Sequence, residues 1–356
     1  MSMMNLFSIV LTYHSQVCSE ARFRVDCERF LGRLGGLCAM SCKASNDPIR
    51  TRNIRVAFLD SGVDKEDGMV GAAIKSKIIS CKSRSFVQGD AEDGWQHDAD
   101  GHGTHVARLL RHYAPTAEIF VGKICVGSKV SGKEYDGVAK VRDYITYQRR
   151  TNLALIWTQA IEWAAKDCDA DIISLSLGSE DDHSGIRHAI DRASQHYRKL
   201  IIASASNDGG RSGRSQPASL PGVICMHATD GDGNCGGINP SPIIGTDNFA
   251  TLGIAIYSQW KEKNVLLSGT SYAVPVAVGF AVCVLEFAKH VCNIDAEDLA
   301  RLTRTDAMSR VFKKMSSRRD GYDFLWPRHL WPNFKTNPKL DKESVSEEIM
   351  TILKSL

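Results

Sequence analysis

Five short runs between residues 54 and 228 are apolar at nearly every position: IRVAFLD from Ile54, AEIFVGKICV from Ala117, DIISLSLG from Asp171, KLIIASAS from Lys199 and GVICMHA from Gly222. A strand with one face in water alternates apolar and polar residues, and these runs do not. They read as strands covered on both faces, the condition of a parallel sheet with helices on each side. The intervening segments supply those helices. One pattern starts at about Gly103. A second, Leu153–Lys166, sets Leu153, Ile156, Trp157, Ala160, Trp163 and Ala164 at helical spacing, and a third covers about Ile186–Tyr197. Strands and helices in alternation predict an α/β layered fold with a mainly parallel central sheet. The long polar stretch Gly127–Thr151 reads as an insertion between a strand and a helix.

Three motifs in this frame carry chemistry. VAFLDSG ends at Gly62 and places Asp60 at the end of a strand, at the carboxyl edge where a parallel sheet collects ligands and catalytic groups. Alone, that aspartate would be read as a cap. DGHGTHVA begins at Asp100 and sets His102 at a helix start between two glycines, which leave room beside the ring. SGTSYAVP begins at Ser268 and puts Ser271 just before an apolar helix, with Pro275 expected in its first turn. The Ser271 hydroxyl and its own N–H would then lie at a helix N-terminus, where developing negative charge is stabilised.

The order Asp, His, Ser and the residues around each resemble the subtilisin-like serine peptidases, from about Ile54 to about Phe312. The resemblance implies a subtilisin-like three-layer fold and an endopeptidase acting through an acyl-enzyme. Ser271 would be the nucleophile, His102 the base and Asp60 the residue that orients it. Within HGTH the family uses the first histidine, which leaves His105 packed beneath the site. Asn207, in IIASASNDGG, would donate to the oxyanion; read without the family, that run is a turn. SLSLG resembles the family's extended segment, so Ser176, Leu177 and Gly178 would pair with substrate backbone by strand addition. The alternative is a catalytically degenerate relative that binds peptides or regulates a partner.

The chain also departs from the pattern. Arg108 stands where the family usually has Gly, and the helix carrying His102 runs straight on to APTAEIF without the loop that binds calcium in bacterial subtilisins. Ser206 replaces the usual Gly before Asn207. No cofactor or metal is expected. His97, Asp100, His102 and His105 lack the HExxH pattern of a zinc site, and Asp230 with Asp232 reads as a turn rather than a calcium loop.

Composition bounds the rest. Of 356 residues, 43% are hydrophobic and 24% charged, as in ordinary globular proteins, and a net charge of +3 gives no reason to expect nucleic acid as a partner. The basic cluster Arg310–Arg319 reads as a solvated helix face. Eleven cysteines, an odd number without regular spacing, do not form a disulfide framework. With the missing glycosylation sequons, they suggest an intracellular, cytoplasmic location and resemble intracellular subtilisin-like domains of filamentous fungi, which are often parts of longer chains. Secretion is the alternative, because Met4–Leu11 is a short apolar run, though it lacks a basic flank. No membrane span is expected; the best stretch, Ala273–Leu285, ends at Glu286. Residues 1–52 read as an N-terminal extension outside the core and not as a full propeptide, 53–330 as the peptidase domain and 331–356 as a C-terminal tail with a helical segment. Protein or peptide substrates are the expected partners.

Overall fold

The structure is a computed structural model that describes residues 3–41, 51–126, 147–261, 263–292, 294–333, 336 and 338–356. Its strands are β1 (Arg55–Asp60), β2 (Arg84–Ser85), β3 (Glu118–Lys123), β4 (Ile172–Leu175), β5 (Leu200–Ser204), β6 (Val223–Thr229), β7 (Phe249–Leu252), β8 (Ile256–Trp260), β9 (Lys263–Leu267), β10 (Ser316–Arg319) and β11 (Tyr322–Leu325). The helices are α1 (Met3–Ser41), α2 (Gly68–Lys75), α3 (His102–Tyr113), α4 (Tyr147–Lys166), α5 (Ser184–Asp191), α6 (Thr270–Phe287), α7 (Ala296–Leu302), α8 (Thr305–Lys314) and α9 (Pro338–Lys354). The insertion expected over Gly127–Thr151 lies outside the described residues up to 146, and from Tyr147 the chain is already helical.

One sheet runs in the order β10-β11-β7-β6-β5-β4-β1-β3-β2, parallel throughout except for the β10–β11 edge, and β8–β9 form a separate antiparallel hairpin. Successive side chains along each strand enter opposite cores, as the period of a strand requires. Val56 and Phe58 of β1, Ile119 and Val121 of β3, and Ile202 of β5 join the core around α6. Ala57, Leu59, Phe120 and Ile201 join the core under α4 and α5. Three layers result, as the continuous apolar runs predict.

The topology also fixes where a site can form. The chain leaves β1 for β3 on one side and returns to β4 on the other, so the order reverses at β1. A crevice opens beyond the carboxyl ends of strands at such a switch point. Asp60 is the last residue of β1.

α6 is apolar all round because the core surrounds it. With the π-helical turn Ala288–Cys292 that continues it, it is long and apolar enough to cross a membrane, and almost all of it is buried in the protein. This helix is longer than the stretch Ala273–Leu285 and continues past Glu286 to Cys292. That carboxylate is paired with Lys289 at 2.9 Å and His290 at 3.0 Å on its own helix.

The N-terminal segment corrects the sequence reading more strongly. Phe23, Cys27, Phe30, Leu34 and Leu37 of α1 are buried in the α6 core, so this extension is not outside it. Their spacing of four and three residues is one stripe of a helix. Phe23 alone meets Phe280, Phe324 and Trp326, the last at 4.2 Å between ring centroids. Phe23→Ala is therefore expected to lower the unfolding free energy by about 3–5 kcal/mol, measured by denaturant titration. Helix α9, in the segment read as a tail, likewise buries Val345, Ile349 and Leu353. The basic cluster is only partly helical: α8 ends at Lys314, and Arg318 and Lys313 both pair with Asp323.

Candidate active site

The three motif residues converge at the switch point. Asp60 and His102 are joined directly, Asp60 Oδ1 lying 2.7 Å from His102 Nδ1, and both side chains are buried. A carboxylate can only accept, so Nδ1 carries the proton and Nε2 presents a lone pair. Burial would push the imidazole down. The charge and hydrogen bond of Asp60, with smaller contributions from Asp100 and Asp98, hold it above the ordinary histidine range instead.

Two glycines permit this approach of β1 and α3. Gly62 has φ +94°, where a side chain would also press on the Trp95 carbonyl, and a Cβ on Gly103 would overlap the Gly62 carbonyl oxygen. His105 lies one turn on, its Nδ1 2.8 Å from Ser258 Oγ and its ring against Trp260. Burial, then the neighbouring His102 and Arg108, lowers it to about 4.

Ser271 sits in the first turn of α6. Its N–H has no intrahelical acceptor there. Pro275 lies a turn deeper than the sequence reading places it, inside the helix. Its missing N–H would leave the Ser271 carbonyl without its i+4 donor, and Ser176 Oγ supplies that bond at 3.0 Å. In return, Ser271 Oγ donates to the Ser176 carbonyl at 2.7 Å. The hydroxyl is therefore turned from the imidazole, and His102 Nε2 is buried without a hydrogen bond. The residue next to Ser271, Tyr272, has its ring centroid 5.5 Å from that of His102. Catalytic hydrogen bonds often close only when substrate is bound.

Asn207 follows β5. Its Oδ1 accepts from Thr270 N at 2.8 Å and Thr270 Oγ1 at 3.1 Å, which leaves Nδ2 as the uncommitted donor beside the start of α6. Ser206 before it has φ +148°, in the region glycine prefers, while its exposed hydroxyl meets only Asp208. Ser206→Gly should therefore raise stability by about 1 kcal/mol, read from thermal unfolding. Ser176, Leu177 and Gly178 continue β4 past its last paired residue, and pairing resumes at Ser179 with Gln216. Gly178 is held so close to Ser215 that a Cβ would strike the serine side chain.

Residues outside the three motifs also build the site. Lys123, at the end of β3, is buried and donates to the carbonyls of Gly94 and His97 at 3.1 and 3.0 Å, which braces the loop leading to His102. Arg108 pairs with Asp67 at 2.6 Å, joining α3 to the residue that caps α2. Asp98 accepts hydrogen bonds from the first turn of α3. An aspartate a few residues before a helix start is a capping signal and could have identified it. Asp230 closes its own turn onto Asp232 N and Asn234 N, and Asp232 pairs with Arg22 of α1.

A family model described as the subtilase family matches residues 51–322. The chain belongs to the subtilase family. Among its relatives are Subtilisin DY of Bacillus licheniformis, 26% identical over 239 residues, which are 65% of this chain and 77% of that one. The major intracellular serine protease of Bacillus subtilis (strain 168) is 28% identical over 182 residues, 49% of each chain. Subtilisin-like protease het-Q2 of Podospora anserina is 26% identical over 272 residues, 70% of this chain and 69% of that. Among solved structures, the epidermin leader peptide processing serine protease of Staphylococcus aureus superposes with a TM-score of 0.58 at 19% identity, covering 80% of this subtilase and 76% of that chain. The prenylagaramide maturation protease gives 0.55 at 20%, covering 85% and 94%. At these identities the structural likeness is one of fold.

Proposed function

We propose that this subtilase is a serine endopeptidase in which Ser271, His102 and Asp60 cleave peptide bonds. The observation that carries the proposal is the buried Asp60–His102 pair, whose Nε2 makes no hydrogen bond and whose ring lies 5.5 Å from that of Tyr272, the residue after Ser271 at the N-terminus of α6. A peptide would lie along Ser176–Gly178 by strand addition. Ser271 Oγ leaves the Ser176 carbonyl and gives its proton to His102 Nε2 as it bonds to the substrate carbonyl carbon. The carbonyl π electrons move to oxygen, which Ser271 N–H and Asn207 Nδ2 stabilise. His102 returns the proton to the leaving amine, an acyl-serine forms, and water repeats the sequence to release the acid.

The hydrogen bond from Ser271 Oγ to Ser176 favours a second reading, a peptide-binding module that does not cut. Incubating the purified chain with a peptide library and sequencing the products by mass spectrometry separates the two. Cleavage at recurring sites supports the endopeptidase. Peptide capture without any new termini supports the binding module. Protein or peptide substrates follow in either case. The odd cysteine count favours a reducing compartment, in keeping with the intracellular relative from Bacillus subtilis.

A further inference from the structure

A second buried carboxylate stands behind the Asp60–His102 pair. Asp98 Oδ1 lies 2.9 Å from Ser61 Oγ, 2.9 Å from Gly101 N and 3.2 Å from Asp100 N. Its Oδ2 accepts from Thr104 N at 2.9 Å and Thr104 Oγ1 at 2.7 Å. All five partners can donate, and an ionised carboxylate is the form that only accepts. Two of them are N–H groups at the start of α3, which bears His102, so Asp98 supplies a cap that Gly101 has no side chain to provide.

One of the five matters most. The Ser61 hydroxyl has one proton and two carboxylates within reach, Asp98 Oδ1 at 2.9 Å and Asp60 Oδ1 at 3.3 Å. It also accepts from Gly103 N at 3.0 Å. The shorter contact takes the proton. Asp60 Oδ1 is then held by Ser61 N at 2.8 Å and His102 Nδ1 at 2.7 Å, and Asp60 Oδ2 is buried with no hydrogen bond. Each donor withheld from Asp60 leaves its charge more available to the imidazolium.

We propose that Asp98 is a positioning residue, which draws the Ser61 hydroxyl away from Asp60 and ties the start of α3 to the end of β1, so that His102 is the principal partner of the Asp60 charge. The proposal deepens the peptidase reading and rests on it for its catalytic meaning. The ionisable groups around His102 are Asp60 at the end of β1, Asp98 and Asp100 before α3, His105 on its own helix and Tyr272 on α6, whose ring centroid is 5.5 Å away. Cys125, just past β3, feels the same three carboxylates and is pushed up by burial, so it stays neutral. Asp98 is the member of this set that can both add negative charge and redirect a hydroxyl.

The test is the titration of the His102 ring by proton NMR, in wild type, Asp98→Asn, Ser61→Ala and the double variant, each also carrying Ser271→Ala. In Asp98→Asn the charged acceptor is lost and the Ser61 hydroxyl is drawn less strongly from Asp60, so His102 should titrate at a lower pH than in the Ser271→Ala parent. In Ser61→Ala, Asp60 loses no side-chain donor, so His102 should titrate where the parent does. The double variant should shift less than Asp98→Asn alone. With Ser271 restored, Asp98→Asn should lower kcat by up to about a hundredfold with KM nearly constant, and its acidic limb should move down. An unmoved His102 titration in Asp98→Asn overturns the proposal. If that variant does not fold, a rise of the His102 titration in Ser61→Ala also overturns it, because the hydroxyl would then have been on Asp60. The NMR readout needs no turnover, so failure of wild type to cleave peptides would sink the peptidase reading and leave this result standing.

Discussion

Ser271→Ala is expected to abolish peptide hydrolysis while the protein stays folded. Removing the nucleophile of subtilisin costs about 10⁶ in turnover, because the remaining groups act only as a unit with it. A loss on that order is expected here. The structural cost is small by comparison. The hydroxyl makes one hydrogen bond, to the Ser176 carbonyl, and the reciprocal bond from Ser176 Oγ goes to the Ser271 backbone, which alanine keeps. About 1 kcal/mol of stability is at stake. Turnover near wild type in a folded Ser271→Ala protein would remove Ser271 from the mechanism.

The second large effect separates two histidines three residues apart. His102→Ala should cost several decades in kcat/KM, since it removes the one imidazole bonded to Asp60. His105→Ala should change kcat/KM by no more than a few-fold and act on stability, because its ring fills the space between Ser258 and Trp260. Their pH signatures differ in sign. The base must be neutral to work, and His102 is held above the ordinary range, so kcat/KM should fall with acid at a pH above the usual histidine value. The same raised value means that His102 contributes stability below its unfolded pKa and loses it as pH rises through the folded one. His105 is the reverse. It titrates at about 4 when folded, against about 6.5 unfolded, so stability is lost as pH falls through that window. Urea unfolding from pH 4 to 7 should show a shallower acid-side loss in His105→Ala, with the remainder due in part to His227, which is buried and also lowered to about 4. Exchange of these two behaviours between the variants would contradict the assignment.

What the sequence made legible is what local pattern encodes. The five apolar runs mark strands, and the three motifs carry enough context to place Asp60, His102 and Ser271 together. The docking of α1 was legible in principle. Phe23, Cys27, Phe30, Leu34 and Leu37 form a helical stripe, obscured by the apolar residues and cysteines that surround it. Pro275 lies inside the helix because the helix begins at Thr270 rather than Tyr272, which turns a harmless first-turn proline into one that needs Ser176 to complete its turn. The orientation of the Ser271 hydroxyl could not be read at all. It depends on a carbonyl 95 residues away in sequence, brought near only by the crossover from β4 to the central helix. The role of Asp98 could not be read either, because its five donors come from Ser61 and the residues around the start of α3, and their convergence is tertiary.

The central claim is that a competent serine nucleophile sits at the start of α6 beside the Asp60–His102 pair. Labelling the folded protein with a fluorophosphonate, followed by intact mass and peptide mapping, tests it most directly. One adduct is predicted, on Ser271, lost in Ser271→Ala and slowed by orders of magnitude in His102→Ala. A folded protein that takes no label, or takes it elsewhere, would contradict the account.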